Sequence, residues 1–400
     1  MRAVLVEASP PSRLHAATKG AAKPAFRLVL GSAAKPTPKK EKKEILIQVK
    51  AAGVNRMDLL QKRGKYPPPL GASPILGPEA AGIVASSGNR FREGDRVMAL
   101  LLGGGYAEYV AVEEGLCMPI PDSLSFAQAA AIPENWLTAY QLLHFVAGLE
   151  LPTPPTLCSS SPTSAPVSPF SAPVSPVSPS RSGNETRTDV GPSVPAGASG
   201  LRRSIRSVLI HAAASGVGTA LVQLSSLLAI PTVIASAGSD EKLRLCRALG
   251  ATHVINYRAL EGKFAEEVSK ATNGDGADLL LDPVGASFMK ENAKCCAVDA
   301  SWVLYGGLGG VKVPEFDFQP FFAKRIRLLA STLRSQDLSY REMLVKSFEV
   351  AVLPKLADGS LKVILDSTYP ASEADQAHER LETNANCGKV VLTFDEPVGL

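Results

Sequence analysis

Short apolar strands and amphipathic helices alternate through the second half of this 400-residue chain, and this alternation restricts the fold more than any other feature. Helices are predicted over 217–229 and 240–249. The predicted strands cover residues 208–211, 232–236, 253–256, 278–282 and 302–305. Each return to a parallel strand needs a crossover helix, so this order predicts a parallel, doubly wound sheet.

The first part of the chain instead carries short strands separated by glycines. Strands are predicted at 44–50, 82–87, 94–100 and 105–112, and an Ala- and Leu-rich helical segment follows at 125–148. Short strands at this spacing predict a compact, β-rich, barrel-like domain. Because single cores seldom grow beyond roughly 250–300 residues, two domains are expected.

One Ser- and Pro-rich segment, at about 151–203, interrupts this plan. It includes the near-repeat SAPVSPF (164–170) and SAPVSPV (171–177). Prolines at this density cannot join a helix or a central strand, and the apolar content is too low to offset the entropy of ordering. The segment is therefore predicted to be a disordered insertion.

Charge and composition argue against several kinds of partner. The chain has 42 Lys plus Arg against 38 Asp plus Glu, which gives no electrostatic reason to expect nucleic acid or a membrane surface. No apolar run approaches the roughly 20 residues that span a bilayer. The N-terminus lacks a secretory signal, and six cysteines without CxxC spacing predict reduced thiols. A cytoplasmic protein is expected, although Arg2, Arg13 and Lys19 leave an organellar signal open.

The strongest local motif is VLIHAAASGVGTALVQLSSLL, at 208–228. It predicts a strand, a turn of small residues and an apolar helix that begins near Val217. Backbone N–H groups and the positive end of the helix would suit a pyrophosphate at this turn. Ala213 and Ser215 replace the first two glycines of G-x-G-x-x-G, and only Gly218 fits. A strand–helix joint without a ligand is the alternative.

The end of the next predicted strand distinguishes NAD from NADPH. NAD-binding folds usually place an acid there, which holds the ribose 2′-OH. Asp240 lies at a suitable distance, but it is predicted in the first helical turn after an N-cap at Ser239. Lys242 then lies within reach of a 2′-phosphate, with Arg244 as a rival and a solvated helix charge as the alternative. NADPH is favoured.

Several long motifs now resemble one family in their order and spacing. They include NRMDLLQKRGKYPPPLGAS (55–73), ILGPEAAG (75–82), VLIHAAASGVGTA (208–220), LRSQD (333–337) and NCGKVVL (386–392). With these motifs the chain resembles the quinone oxidoreductase branch of the medium-chain dehydrogenase/reductase superfamily. The resemblance covers nearly everything except about 10–40 and the Ser/Pro-rich segment.

This resemblance implies an α/β plus β fold in two domains. Residues 1–136 and 331–400 would form a GroES-like β-barrel catalytic domain. Residues 137–330, interrupted by the insertion, would form a Rossmann domain with a doubly wound parallel sheet. A homodimer is expected, with NADPH in the cleft between the two domains of each chain.

The resemblance also implies which side chains surround NADPH. By position they are Ser215, Gly216, Val217 and Gly218 at the pyrophosphate, Ser239, Lys242 and Tyr257 at the 2′-phosphate, and Asn55, Tyr66, Thr138 and Gly306 near the nicotinamide. Tyr66 and Asn55 are the predicted catalytic residues. Each has an alternative, since Tyr66 could pack on Pro67–Pro69 and Asn55 could be the N-cap of a helix with Asp58 at its third position.

Residue types at the ligand positions predict a zinc-free protein. Zinc alcohol dehydrogenases of the superfamily use a Cys and a His where this chain has Asn55 and Pro78, and neither side chain can replace them. The four-cysteine structural lobe is also missing, because only Cys117 falls between Gly94 and Pro133. A quinone accepts hydride without a Lewis acid, so NADPH-dependent reduction of quinones, ortho-quinones included, is the predicted function.

Two other functions remain open. An NADPH-dependent enoyl or alkenal reductase would share the fold and the cofactor, but it needs a proton donor at the substrate carbon. A non-enzymatic NADPH- and RNA-binding protein of the crystallin type would need no turnover. The near-neutral charge and the lack of a basic stripe count against RNA.

Overall fold

The computed structural model of this chain describes residues 1–9, 25–149 and 205–394. The predicted insertion at about 151–203 therefore lies outside the described residues. None of the helices in the described ranges has both the length and the apolar content that crossing a membrane requires.

The described ranges contain fifteen strands and eleven α-helices. In chain order the strands are β1 (Arg2–Ser9), β2 (Ala25–Ser32), β3 (Glu44–Gly53), β4 (Glu79–Ser86), β5 (Arg96–Leu100), β6 (Tyr109–Glu113), β7 (Cys117–Pro119), β8 (Ser207–Ile210), β9 (Thr232–Ala237), β10 (His253–Asn256), β11 (Ala277–Asp282), β12 (Cys296–Leu304), β13 (Arg327–Ala330), β14 (Leu365–Pro370) and β15 (Lys389–Thr393). The helices are α1 (Arg56–Lys62), α2 (Phe126–Ala129), α3 (Pro133–Tyr140), α4 (Gly216–Leu227), α5 (Asp240–Ala248), α6 (Ala265–Ala271), α7 (Met289–Cys295), α8 (Gln319–Lys324), α9 (Leu338–Ala351), α10 (Leu353–Ala357) and α11 (Ala374–Glu382).

Strands from both ends of the chain form a seven-stranded sheet. Its order is β14-β15-β3-β4-β5-β7, and β6 also pairs with β3. Every pair is antiparallel except β14 with β15. Because β15 pairs with β3, the C-terminal part of the chain returns to the N-terminal part, as the sequence predicts. Strands β1 and β2 form a separate antiparallel hairpin.

The second large sheet has the order β10-β9-β8-β11-β12-β13, and all of its strands are parallel. This confirms the predicted doubly wound sheet. The direction of winding reverses between β8 and β11. Ligands of such sheets bind outside the carboxyl ends of the strands, at this switch point.

The strands of the parallel sheet are buried on both faces. Val208 and Ile210 of β8 belong to a large apolar core that extends into the seven-stranded sheet. Leu209, between them, belongs to a second core with Leu280 and Trp302. Because neighbouring side chains of a strand point to opposite faces, a continuous apolar run of this kind requires helices on both sides.

The structure differs from the sequence prediction in two elements. The helical segment predicted at 125–148 is confirmed as helical, but it is divided, because α2 ends at Ala129 and α3 begins at Pro133. Proline is favoured at the first helical position and cannot continue a preceding helix. Helix α3 also crosses the predicted domain boundary at 136/137 and continues into a π-helical turn at Gln141–Val146. In addition, no strand is predicted where β1 and β2 form.

A buried chain of polar side chains fixes the carboxyl edge of the parallel sheet. The two ring nitrogens of His211, which follows β8, lie 2.7 Å from Ser236 Oγ and 2.7 Å from Asn292 Oδ1. Asn292 Nδ2 donates to Asp282 at 2.9 Å, and Trp302 Nε1 donates to the same carboxylate at 3.1 Å. Burial lowers the pKa of His211, which keeps the ring neutral. The ends of β8, β9 and β11 are therefore held rigidly where loops leave the sheet.

A set of exposed apolar residues, called here the apolar patch, comes at and before the edge strand β13 in the sequence. It consists of Leu308, Val311, Phe318, Phe322 and Leu328, with Phe322 81% and Val311 84% exposed. Among the described strands, β13 pairs only with β12. An unpaired edge beside exposed apolar side chains is typical of a surface that a second chain covers.

We expect the predicted homodimer to use this patch. Light scattering should give the wild type twice the 42.0 kDa chain mass, and Phe322→Asp should shift it toward one chain mass because a charge would enter the interface. Val350→Asp, at an apolar residue of α9 that is 75% exposed, is the control and should leave the mass unchanged. A wild type of single-chain mass would contradict the expectation.

Candidate cofactor and active site

The turn between β8 and α4 presents backbone donors at the carboxyl edge of the sheet. Ser215 is the N-cap of α4, and its Oγ accepts the N–H of Gly218 at 3.1 Å. The N–H of Gly216 faces Gly388 in an isolated parallel bridge between Ser215 and Gly388, whereas the N–H of Val217 has no hydrogen-bond partner within the described part of the chain. This orphan donor and the positive end of a 12-residue helix favour an anion. The structure thus brings the four residues predicted for the pyrophosphate together at one turn.

Two glycines of this turn are required by close packing. A Cβ on Gly218 would lie 2.4 Å from the carbonyl oxygen of Ala212, so only glycine lets α4 approach the end of β8. A Cβ on Gly216 would lie 2.2 Å from Asn135 Nδ2, which places the first turn of α3 directly against the cofactor turn. Gly218, the one motif glycine that this turn keeps, therefore has the close-packing role expected of it in a dinucleotide-binding turn.

The loop after β9 holds the residues predicted for the 2′-phosphate. Ser239 is the N-cap of α5, as predicted, and Lys242 Nζ donates to the carbonyl oxygen of Asn384 at 2.6 Å. A Cβ on Gly238 would lie 3.0 Å from the Tyr257 hydroxyl and 2.9 Å from Arg258 Nε. Ser239, Lys242 and Tyr257 thus lie around one glycine.

Arg258 is a further cation of this loop that the sequence interpretation missed. Burial lowers the pKa of Lys242, and the charge of Arg258 acts in the same direction. Neither cation pairs with a carboxylate of the described residues. The only signal in the sequence was that Arg258 directly follows Tyr257. Whether its side chain reaches Gly238 depends on how the chain turns after β10, which the sequence pattern did not predict.

Asp240 and Arg244, the two alternative residues for this loop, have different environments. The carboxylate of Asp240 accepts a hydrogen bond from Asn256 Nδ2 at 2.8 Å. Asp240 lies in the first turn of α5, where acids complement the helix dipole, as the sequence predicts. Arg244 is exposed on α5, whereas Lys242 is half-buried.

Asn55 lies in a buried polar cluster beside the cofactor turn. Its Nδ2 donates to Glu79 Oε1 at 2.8 Å, and its Oδ1 accepts from Lys389 Nζ at 2.6 Å. Lys389 also pairs directly with Glu79, although the two side chains are only 4% and 0% exposed. Gly388 N donates to the carbonyl oxygen of Ala214 at 2.8 Å, which attaches this cluster to the turn.

Two carboxyl groups of this cluster have raised pKa values. Burial raises the pKa of Asp58 to about 6, although the N–H groups of Asn55 and Gly77 bind the carboxylate and oppose the shift. Burial and the charge of Glu79 raise the pKa of Glu134 to about 8. Asp58 accepts the N–H of Asn55 at 2.8 Å, which is the interaction that the alternative helix-capping interpretation of Asn55 requires. Glu134 was not singled out from the sequence.

Tyr66 is half-buried and lies under a guanidinium group. The Arg334 guanidinium carbon is 5.5 Å from the centre of the Tyr66 ring. Arg334 Nε donates to the carbonyl oxygen of Leu102 at 3.0 Å. Burial raises the pKa of Tyr66, so its hydroxyl stays protonated at neutral pH. Packing of Tyr66 on Pro67–Pro69 therefore does not account for its whole environment.

Thr138 and Gly306 lie near the same edge of the parallel sheet. Thr138 is half-buried in α3, three residues after Asn135, and residues at this spacing share one helix face. Gly306 follows the end of β12, where a Cβ would lie 2.8 Å from the carbonyl oxygen of Pro283. Contact of either residue with the nicotinamide stays a prediction.

The residues at the expected zinc position do not fit a zinc ion. Within the described ranges, no group of three His, Cys, Asp or Glu side chains could hold a metal. Asn55 and Pro78 stand where ligands would be needed, and the Lys389 ammonium binds both Asn55 and Glu79. A divalent cation beside that ammonium would be repelled.

Two family models match the chain. The zinc-binding dehydrogenase family matches residues 216–348, and the alcohol dehydrogenase GroES-like domain matches residues 41–122. Together they cover more than half of the sequence. The first covers strands β9 to β13 of the parallel sheet, and the second covers strands β3 to β7 of the seven-stranded sheet. Over these residues the chain is similar to zinc-binding dehydrogenases and to the GroES-like domain of alcohol dehydrogenases.

Curated relatives are distant and differ in length. The chain is 27% identical to the synaptic vesicle membrane protein VAT-1 homolog of Danio rerio, over 88% of this chain and 64% of that protein. It is 26% identical to a reducing polyketide synthase of Metacordyceps chlamydosporia, of which it spans only 12%. It is 24% identical to the quinone oxidoreductase of Rattus norvegicus, over 89% of this chain and 90% of that one.

Solved structures share the fold over nearly the whole length. An NAD-dependent alcohol dehydrogenase is 26% identical, with a TM-score of 0.71 over 99% of this chain and 100% of the other. The Escherichia coli quinone oxidoreductase complexed with NADPH is 24% identical, with a TM-score of 0.68 over 92% and 95%. The CurK enoyl reductase is 22% identical, with a TM-score of 0.67 over 92% and 95%.

The buried ion pair between Lys389 and Glu79 predicts a large effect on stability. Lys389→Met should lower the free energy of unfolding by about 3–5 kcal/mol, because Glu79 is left buried without its counter-charge. Glu79→Gln in the same chain should restore part of that loss. Urea unfolding measures both.

Lys294→Met is the control for this prediction. Lys294 is 64% exposed and pairs with Glu291, so its removal should cost less than about 1 kcal/mol. If both lysine substitutions lowered the free energy of unfolding equally, the predicted contribution of the buried ion pair would be contradicted.

Proposed function

We propose that this protein is an NADPH-dependent reductase that transfers hydride to quinones, ortho-quinones included. The observation that carries the cofactor assignment is the loop after β9, where Lys242 and Arg258 lie near Gly238 with the Tyr257 hydroxyl. Asp240, the acid that could hold a ribose 2′-OH, is bonded to Asn256 instead. Two cations that form no ion pair with a carboxylate of the described residues suit a 2′-phosphate better than a hydroxyl.

In this proposal the turn before α4 would hold the pyrophosphate, with the N–H of Val217 and the positive end of α4 facing it. When bound, NADPH supplies the hydride, and the chain has to position it and exclude water. The N-cap hydroxyl of Ser215 keeps the turn in shape by accepting from Gly218. The solved relative bound to NADPH supports this arrangement.

A quinone suits this site because the ring itself accepts the negative charge. The Lys389 ammonium bonds to Asn55 and Glu79 and would repel a metal ion there, so an unactivated ketone would lack polarisation by a Lewis acid. Tyr66 and Arg334 form a partly buried polar surface that can meet a carbonyl oxygen. The likeness to quinone oxidoreductases of rat and Escherichia coli also supports a quinone.

Reduction of a conjugated enoyl or alkenal carbonyl is the second candidate. The likeness to the CurK enoyl reductase and to reducing polyketide synthases supports it about as well. This reaction needs a proton donor at carbon, and the buried carboxyl of Glu134, whose pKa is raised to about 8, carries a proton at neutral pH. The choice between the two candidates is therefore experimental.

The cofactor assignment predicts a strong preference for NADPH over NADH. Lys242→Glu and Arg258→Glu should each weaken NADPH binding by roughly 30-fold or more, since each removes a charge-assisted contact and adds repulsion. NADH binding should change little. Fluorescence titration of the reduced cofactors measures all of these values.

Arg244→Glu is the matched control, because it makes the same charge change on the exposed face of α5. It should leave NADPH binding within about threefold at physiological salt. Equal affinity of the wild type for NADPH and NADH would refute the assignment.

The substrate assignment predicts rapid NADPH oxidation with 1,2-naphthoquinone and slower oxidation with 1,4-naphthoquinone. A 2-alkenal and an enoyl thioester should give less than about a tenth of the 1,2-naphthoquinone rate, because they lack a ring that delocalises the charge. Absorbance at the NADPH band measures all four rates. Preference for the thioester would instead establish the second candidate.

A further inference from the structure

Arg334 is buried with part of its guanidinium group unused. The residue is 6% exposed, and both Nε and Nη2 donate to the carbonyl oxygen of Leu102. Its Nη1 is also buried, and it has no hydrogen-bond partner within the described part of the chain. Buried donors are almost always paired, because an unpaired one loses its hydration without compensation. A ligand that brings an acceptor would complete the site.

The surroundings of Arg334 indicate where this ligand lies. The guanidinium group covers the ring of Tyr66, and its Nη2 is 3.7 Å from the place of a Cβ on Gly103. The charges of Arg334 and Glu134 both act on the Tyr66 hydroxyl, in opposite directions. Arg334, Tyr66 and Glu134 are therefore neighbours, and the unpartnered Nη1 donor belongs to this group.

Glu134 connects this region with the cofactor turn. It lies in the first turn of α3 and is 7% exposed, and its backbone N–H donates to Glu79 Oε2 at 2.8 Å. The next residue, Asn135, packs directly against Gly216 of the turn. A substrate between Arg334 and Glu134 would thus lie beside the cofactor that the proposed function requires.

Four charged groups from different segments of the chain act on Glu134. Burial and the carboxylates of Glu79 and Asp58 favour the protonated form. Lys389 and Arg334 oppose this effect without cancelling it, and the pKa is raised to about 8. Glu134 therefore carries a proton at neutral pH and can donate it.

We propose that Arg334 binds the carbonyl oxygen of the quinone through Nη1, and that Glu134 donates the proton that completes its reduction to the hydroquinone. This inference rests on the proposed function, because it needs a hydride donor beside the site.

The proposed reaction balances in atoms and electrons. One hydride, with two electrons, passes from NADPH to the quinone and leaves NADP⁺ and a hydroquinone monoanion. Arg334 Nη1 holds the oxyanion by a charge-assisted hydrogen bond. The O–H bond of the Glu134 carboxyl breaks as an O–H bond forms on the substrate, and the Glu134 carboxylate regains its proton from water.

The first test measures the binding of 4-nitrocatechol, whose monoanion resembles the reduced substrate, by its absorbance change at pH 8 in the presence of NADP⁺. Arg334→Gln should weaken binding at least tenfold, since a buried charge-assisted hydrogen bond is lost. Arg341→Gln is the matched control, because Arg341 is also 6% exposed with an unpartnered Nη1 but lies on α9. Equal binding by wild type and Arg334→Gln would overturn the role of Arg334.

The second test is the pH dependence of quinone reduction. The kcat/KM of the wild type should fall above about pH 8, where Glu134 loses its proton, and its NADPH affinity should not follow this fall. Glu134→Gln should lower kcat at least tenfold, remove the pH dependence and keep the NADPH affinity. Glu114→Gln changes another buried carboxylate, one bound to the N–H groups of Asn89 and Arg90, and should leave kcat unchanged.

The outcomes separate this inference from the proposed function. A wild type that oxidises NADPH with none of the quinones would refute the proposed function. Turnover by the wild type with a flat profile to pH 9.5, or an unchanged kcat in Glu134→Gln, would refute the role of Glu134 alone. If Glu134→Gln does not fold, the wild-type profile still decides.

Discussion

The ion pair between Lys389 and Glu79 is the interaction on which the rest of the site depends. It joins β15, from the end of the chain, to β4, and Asn55 at the end of β3 bonds to both charges. Glu79 also accepts the backbone N–H of Glu134, in the first turn of α3. Charges this deeply buried are stable only when paired and hydrogen-bonded, so four segments are held in one arrangement.

The same cluster connects the two sheets. Gly388, which precedes Lys389, bonds to the turn after β8, and Asn135, which follows Glu134, packs against Gly216 of that turn. The reactive end of a cofactor bound at the turn would therefore lie against residues positioned by the ion pair. Within this cluster the chain itself supplies the positive charge, the Lys389 ammonium, which bonds to both Asn55 and Glu79.

Burial and hydrogen bonding give two acidic groups of the site different pKa values. Asp58 is surrounded by N–H and O–H donors, and its pKa is raised only to about 6. Among the described residues no such donor binds the Glu134 carboxyl, and burial together with the charge of Glu79 raises its pKa to about 8. Two carboxyl groups in one cluster thus differ in protonation at neutral pH, because hydrogen bonds to the charged form are unequally distributed.

The sequence by itself determined the parallel sheet, the small-residue turn at 215–218 and the cap at Ser239, because periodicity and capping are local properties of the chain. Only the tertiary structure decided what surrounds Asn55, and only it placed Glu134, Arg258 and Arg334 at the site. Those assignments depend on contacts between residues up to 334 positions apart, as between Asn55 and Lys389. They also depend on burial, which sets a pKa and leaves no mark on the sequence.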